Sequence, residues 1–452
     1  AKGTNEKLSI IGCDTHIPNI ILNGSSRKFE FYRNGPTIPD DGSAEYEYKD
    51  TLPPFPSIEI SNLTISDSYP NSDFDNNCVR GPCGSAINAE RFNLELNNTR
   101  FVDNRGVQSF LEPNINYPNI ISGVVHLKIH DSLFENNATI CNLENNADVC
   151  GRLITFHGDL DIFNTNFRNN ENLIVLDPKN RRNLKVNLSC YKRKITDSFF
   201  QENVVAFMNK SHIYHGCLYN DHRTSPQLEI INSEFKNHKF AISMSGNLNI
   251  TNSKFIDNYE GVGGFDASNN PCDSLKNGSY YSYASGSCKS GGAINLNKIF
   301  SDDFDSYWGV LTIKDSEFTG NSATDFGGAI NMGGSVRCDD SFWEYYRSGC
   351  NEYSYGNIVS NISAEPFDIN IKNSTFKNNS SHRGAAISLG KVYPQAGNIL
   401  IENSIFESNI ATIPEGYEQN VEDKESSIVV VGGDAEIYNT TFLDNVADIE
   451  IW

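Results

Sequence analysis

Hydrolysis of a sugar needs two or three carboxylates converging on one bond, and a lyase needs calcium held by Asp with a basic residue nearby. The acidic clusters in this chain are Asp73/Asp75, Asp302/Asp303/Asp305 and Asp339/Asp340, and the best isolated acid–base candidate is His157-Gly158-Asp159. None forms a set spaced across consecutive repeats, as such catalysis requires, and each reads as solvated acid in a loop. No nucleophile elbow, phosphate loop or metal signature occurs. The expectation is a non-catalytic protein with no catalytic, cofactor or metal residue to name. A carbohydrate-active enzyme, either lyase or glycoside hydrolase, is the alternative from a different class.

Two other chemistries have more residues behind them. Of the 11 cysteines, ten fall as close neighbours: Cys78 with Cys83, Cys141 with Cys150, Cys190 with Cys217, Cys272 with Cys288 and Cys338 with Cys350. No double C-x-x-C spacing is present and His is scarce nearby, so disulfides closing loops are the simplest reading. They place the protein outside the cytosol, secreted or at a cell surface. Cys13 is left over, as a buried thiol or a bridge to another chain or a removed segment.

The second chemistry is N-glycosylation. Thirteen Asn-x-Ser/Thr sequons occur, and ten are expected to carry glycan in a eukaryotic source: Asn23, Asn62, Asn97, Asn137, Asn187, Asn209, Asn249, Asn277, Asn361 and Asn378. Asn373 and Asn439 sit in the repeat's turn and are expected to be buried.

The elements that must position these residues come from one repeated phrase. An aliphatic pair at alternate positions is followed by Asn or Asp, then Ser or Thr, one free residue, Phe, and Asn three residues later. Copies end at Phe101, Phe134, Phe167, Phe200, Phe235, Phe255, Phe318, Phe376, Phe406 and Phe442. The trailing Asn is kept in every copy except at His238. Pairs such as Leu94/Leu96, Leu127/Ile129 and Ile369/Ile371 alternate with polar residues, the period of a strand with one buried face. The Asn/Asp-Ser/Thr pair ends the strand, because short polar side chains bond their own backbone and tolerate left-handed geometry. A further strand follows the trailing Asn, as at 173–176, 204–207, 240–242 and 428–431; it becomes Gly-Gly-Ala-Ile at 291–294 and 327–330 and a variant at 384–387.

Phe235 and Phe255 leave room for short strands and turns but not for a crossover helix. The fold class that follows is all-β: a single-stranded right-handed parallel β-helix with an N-terminal cap and disulfide-pinned loop inserts. Roughly eleven or twelve coils at about 4.8 Å each would make a rod of about 55 Å, with Phe stacked on Phe and Asn on Asn. A leucine-rich-repeat horseshoe also carries an Asn ladder, but it needs a regular repeat of about 20–29 residues. Here neighbouring Phe residues lie between 20 and 63 apart, as the gaps from Phe235 to Phe255 and from Phe255 to Phe318 show.

The pairing of Phe318-Thr319-Gly320-Asn321 with Gly327-Gly328-Ala329-Ile330, and of Phe376-Lys377-Asn378-Asn379 with Gly384-Ala385-Ala386-Ile387, resembles the repeats of chlamydial-type polymorphic outer-membrane proteins. The resemblance covers roughly 90–450 and implies the β-helix fold. The family's passengers are surface adhesins, so it also implies display at a surface. This chain departs from the pattern in having no C-terminal membrane barrel and in lacking Gly-Gly-Ala-Ile in several coils.

Residues 1–57 do not carry the repeat and are expected to form a cap or assembly segment, with the β-helix running over 58–452. Three inserts interrupt the rhythm at 266–290, 297–309 and 333–366; their aromatic residues, Tyr280, Tyr281, Trp308, Trp343, Tyr345 and Tyr346 foremost, suit a sugar or a cell-surface protein. The net charge of −21 argues against nucleic acid as a partner. The acid is dispersed, a solubilising coat able to hold Ca²⁺. No run of 18 apolar residues exists to span a membrane.

An opening Ala suits a cleaved signal peptide, and the final Ile449-Glu450-Ile451-Trp452 leaves a coil end for another chain or further residues to cover. The functional expectation is a secreted or cell-surface structural rod, self-associating through coil ends into an assembly or filament. The alternative is an adhesin or ligand-binding rod that uses the aromatic loops.

Overall fold

In the computed structural model, three sheets of 12 strands each run the length of the protein, and every strand pairing is parallel. The described residues are 7–11, 21–23, 29–30, 57–67, 84–89, 93–107, 119–124, 126–140, 152–156, 158–170, 173–176, 193–203, 205–209, 228–238, 240–245, 247–259, 291–297, 310–323, 327–332, 368–381, 384–389, 398–411, 427–431, 435–446 and 448–451. The chain visits the three sheets in a fixed rotation, one strand in each per coil, and strand n of each sheet hydrogen-bonds to strand n+1. No helix occurs among the described residues. This is a parallel β-helix of twelve coils.

Each part of the repeated phrase has its place in a coil. The aliphatic pair forms the first sheet, where Leu94, Leu127 and Leu160 align in register and so do Leu96, Ile129 and Ile162. Two residues after the pair stands Asn or Asp in the left-handed region, φ between 44° and 54° from Asn62 to Asn439, at the corner between the first sheet and the second. Three-residue strands then carry the Phe side chains inward in the second sheet: Phe101, Phe134 and Phe167 are register partners, and so on down to Phe442.

Successive Phe rings stack at centroid distances of 4.7 to 4.9 Å with interplanar angles of 12° or less. Nine of the ten are 0–1% exposed; Phe442, in the last coil, is half-buried. A second left-handed residue follows each Phe by two positions, for example Asp103, Asn136 and Asn169. The chain then enters the third sheet, whose strands include Asn119–Val124, Arg152–Phe156 and Leu173–Leu176.

The stack begins earlier than the repeat suggests. Lys7–Ile11, Ile21–Asn23 and Phe29–Glu30 are the first strands of the three sheets, pairing with Ser57–Ser61, Thr64–Ser66 and Gly84–Asn88. The first coil therefore lies inside the segment expected to be a cap; Leu22 and Ile65 hold register positions continuous with the Phe column.

Gly-Gly-Ala is a bend rather than strand, and the strand starts at the following Ile: Ile294–Asn297, Ile330–Met332 and Ile387–Leu389. The first glycine has φ of +75° at Gly291 and +63° at Gly327. The second lies against the next coil, where a Cβ on Gly328 would run into the carbonyl oxygens of Ser380 and Ala385.

Candidate functional site

Two amide ladders run along the rod, and they differ in what they can do. The inner one is made by the Asn that follows Phe by three residues. Asn137 is typical: it is 0% exposed, its Nδ2 donates to Phe101 O at 2.9 Å and to Asn170 Oδ1 at 2.8 Å, and its Oδ1 accepts from the backbone N–H and Nδ2 of Asn104 at 3.2 and 2.9 Å. The same pattern links Asn258, Asn321, Asn379, Asn409 and Asn445. The assignment of a glycan to Asn137 is thereby corrected: every polar atom of its side chain is engaged inside the rod, which leaves neither a free amide nor room for a sugar.

The outer ladder holds the left-handed Asn or Asp before Ser/Thr, and it is exposed. Asn164 Nδ2 donates to Asp131 Oδ1 at 2.6 Å, and Asn439 Nδ2 to Asn403 Oδ1 at 2.7 Å. Asn373 and Asn439, expected to be buried, belong to this exposed ladder, because the left-handed backbone swings the side chain out. The adjoining Ser/Thr are the buried partners: Ser132 Oγ accepts from Thr99 N–H at 3.0 Å and lies 2.7 Å from His130 O, to which it donates.

Among the expected glycan carriers, Asn97 and Asn249 lie on outward, half-buried strand positions, Asn62 is a half-buried outer-ladder residue, and Asn378 is exposed with φ of 54°. Asn23 and Asn209 are the last residues of strands, described in backbone only. Asn187, Asn277 and Asn361 lie outside the described residues, as do the three inserts apart from Asn297, with Tyr280, Tyr281, Trp308, Trp343, Tyr345 and Tyr346.

The cysteines lie outside the described residues as well: Cys13, Cys78, Cys83, Cys141, Cys150, Cys190, Cys217, Cys272, Cys288, Cys338 and Cys350. The five expected disulfides, Cys78 to Cys83, Cys141 to Cys150, Cys190 to Cys217, Cys272 to Cys288 and Cys338 to Cys350, therefore rest on spacing in the sequence and on no geometry of the fold.

A shallow concavity lies on the outer face of the first sheet. It has a volume of about 470 Å³ and is lined across five coils by residues including Glu95, His126, Lys128, Asp159, Asp161 and Lys194. Asp159, the acid of the isolated pair noted in the sequence, faces His126 of the preceding coil; His157 lies outside the described residues. The Asp159 backbone N–H donates to His126 Nδ1 at 3.0 Å, and its carboxylate lies 3.2 Å from the same nitrogen. Burial pushes the His126 pKa below its usual value, and the Asp159 charge opposes that shift.

A parallel pair follows four residues along the strand, His130 Nε2 at 3.2 Å from Asp161 Oδ2, with the exposed Phe163 ring edge-on to His130 at 6.0 Å. The two His lie four residues apart along their strand, roughly 13 Å, and the two carboxylates, Asp159 and Asp161, two residues apart, roughly 7 Å. Glu95 accepts from Asn97 Nδ2 at 3.2 Å. The face therefore offers paired charges and hydrogen-bonding groups at strand intervals. Among the described residues, no group of three His, Cys, Asp or Glu is arranged to hold a metal ion.

Sequence reasoning did not single out His126 and His130. Their signal was in the register: once Leu127 is set against Leu160, Lys128 meets Asp161 and His130 meets Phe163. It also missed Asn295 and Asn331, the residues after Gly-Gly-Ala-Ile, which are 1% exposed and joined by a 2.9 Å bond.

No family model matches the chain, and no curated protein matches it. Among solved structures it is similar to the crystal structure of PfbA, a surface adhesin of Streptococcus pneumoniae, with a TM-score of 0.37 and 12% identity over 88% of this chain and 80% of that one. A likeness at that level carries no functional argument. The class of the protein, a parallel β-helix, rests on its own strand register, and the resemblance to polymorphic outer-membrane repeats remains one of repeat residues.

Proposed function

We propose that the protein is a secreted or cell-surface structural rod, a glycosylated β-helix pinned by disulfides in its loops and serving as a subunit of an extracellular assembly. The observation that carries this reading is the continuity of the interior. The Phe stack runs from Phe101 to Phe442 with no interval wider than 4.9 Å, and hydrogen-bonded Ser/Thr and Asn rows run beside it. A core packed this regularly transmits load and holds what is attached to it in a fixed array. Self-association through coil ends belongs to the same proposal, since a parallel sheet edge accepts a strand from another chain.

The test labels intact source cells with a membrane-impermeant reagent and maps the recovered chain without reduction. Label on the protein together with Cys272–Cys288 and Cys338–Cys350 linkages is expected. Exclusion from the label, or free thiols at those positions, overturns the proposal.

One observation favours a second reading, a ligand-binding rod. The groove from Ser57 to Lys194 crosses five coils, roughly 19 Å of the axis at strand spacing. That is room for a short hydroxyl-rich polymer lying along the rod. The carboxylates there are engaged with Asn97, His126 and His130, which suits holding a sugar better than cleaving one. A glycan array probed with the native protein and with Lys128→Ala/Asp161→Asn separates the two: binding lost in the variant supports the groove, and identical or absent binding removes it.

A further inference from the structure

We infer that His238 is an acid-responsive seam, the one coil at which the buried amide ladder of the rod opens when the surroundings acidify. The ladder is uniform on either side. Asn104, Asn137, Asn170 and Asn203 are joined Nδ2 to Oδ1 as one run, and Asn258, Asn321, Asn379, Asn409 and Asn445 as another. His238 stands between the runs, 0% exposed.

The imidazole fits because it imitates an amide. Nε2 lies 3.1 Å from Phe200 O, where an Asn would place Nδ2, and must carry the proton to donate there. Nδ1 takes the place of Oδ1 and accepts the Asn203 backbone N–H at 3.2 Å. The neutral ring thus satisfies one donor and one acceptor. It offers no second donor, so no side-chain bond links His238 to the Asn258 side chain; Asn258 Oδ1 accepts only the His238 backbone N–H, at 3.1 Å.

A second proton would sit on Nδ1, which would then have to release the Asn203 N–H and turn to Asn203 O, 2.9 Å away. A buried N–H would lose its partner and a cation would be left in an apolar interior. Among the described residues no anion is placed to receive it. The ring and its backbone contact Phe200, Asn203, Phe235, Asn258 and the backbone N–H of Tyr259, none of them charged. The charged groups on the neighbouring strands and turns, Glu202, Glu234, Lys236, Lys254 and Asp257, all occupy exposed or half-buried outward positions.

Burial accordingly lowers the His238 pKa to about 4 from 6.5, the two carbonyl contacts only partly opposing it. An opened coil binds the proton near 6.5 and the closed coil near 4. The ladder's stability at this point is therefore complete above pH 6.5 and falls as the pH drops through that window, with the loss complete below about 4. The gap between the two values corresponds to an opening equilibrium raised by about 300-fold at the acid limit.

The experiment is amide hydrogen exchange on the full-length protein from pH 7 to pH 4, corrected for intrinsic exchange rates. It compares the amides of 199–203 and 234–238 with those of 316–321 as an internal control, in the native chain and in His238→Asn. Opening at the His238 coil that grows by up to about 300-fold more than the control, and no longer does so in His238→Asn, is expected. Parallel behaviour of the two regions, or of the two proteins, overturns the inference. Should His238→Asn not fold, the imidazole resonance of the native protein decides: a ring neutral down to pH 5 upholds the seam, and titration near 6.5 refutes it.

Discussion

Asn321 offers the sharpest measure of what the inner ladder contributes. Its Oδ1 accepts from the Asn258 N–H and Nδ2 at 3.1 and 2.9 Å, and its Nδ2 donates to Phe255 O at 2.9 Å and Asn379 Oδ1 at 3.0 Å. Asn321→Ala leaves the Asn258 N–H and one Asn258 Nδ2 hydrogen without partners, while the Phe255 carbonyl keeps its place in the parallel ladder and Asn379 Oδ1 keeps the Asn321 backbone N–H. Two buried donors at about 1–3 kcal/mol each sum to about 2–6 kcal/mol, and partial relaxation brings the expected loss to about 2–4 kcal/mol.

Asn321→Asp removes no volume, so it isolates the polar part. Both Nδ2 donations become contacts between oxygens, and an unpaired carboxylate is buried. At pH 7 this variant should be at least as damaging as the alanine. Acid should relieve it in part, because the protonated carboxyl regains one donor. The control is Asn403→Asp, exposed and left-handed at φ of 50°, which keeps the oxygen that accepts from Asn439; it should cost less than about 1 kcal/mol. A long repeat array need not unfold in one step, so the readout is local opening by hydrogen exchange across 253–259, 316–323 and 374–380. If Asn321→Asp is as mild as Asn403→Asp, the ladder is not what holds neighbouring coils together.

Phe318→Ala should cost about 3–5 kcal/mol, since the ring is 0% exposed between Phe255 and Phe376 at 4.9 Å on each side; local exchange confined to that coil and its neighbours checks this, and an effect below about 1 kcal/mol would contradict the stack. Gly328→Ala should cost about 3 kcal/mol, because the added methyl meets backbone oxygens that cannot rotate away; the melting profile tests it, with Ala329→Gly in the same bend as a comparison. Glycopeptide mapping of native protein from a eukaryotic source should find Asn97 and Asn249 modified and Asn137 and Asn379 bare; a glycan on Asn137 in the folded protein would contradict the buried ladder.

Much of this fold was readable because its side-chain period is rigid. Leu127-Lys128-Ile129 alternates as a half-buried strand must, and Phe134 to Asn137 repeats a corner that few residues can form. The accessibility of the amides was harder to read, since Asn occurs at both ladder positions and only the backbone separates them. A residue in the left-handed region, such as Asn373, turns its side chain outward, whereas the extended Asn379 turns inward. Asn137 could have been recognised from its place three residues after Phe134, a rule that outranks its sequon. The groove was illegible for a different reason. His126 and Asp159 lie 33 residues apart and meet only through the cross-coil register, which loops of unequal length conceal.

The contrast between the ladders also bears on where function can reside. At the inner position one residue must offer a donor to the Phe carbonyl of the coil before and an acceptor to the amide of the preceding ladder residue. Asn does both, and the His at 238 does both only while neutral. The corner two residues after Phe asks only for a left-handed backbone, and Asp103, Asn136, Glu202, Ser408 and Gly320 all comply. Where the backbone alone is specified, the side chain is free to answer to something other than folding. The outward strand positions have the same freedom, and there Lys128, Asp161 and Lys194 occupy successive coils of one column. Selection for a partner can therefore act on the corners, the outward columns and the loops without disturbing the stack. A substitution on the inner rows tests the rod, and a substitution on the outer ones tests what the rod is for.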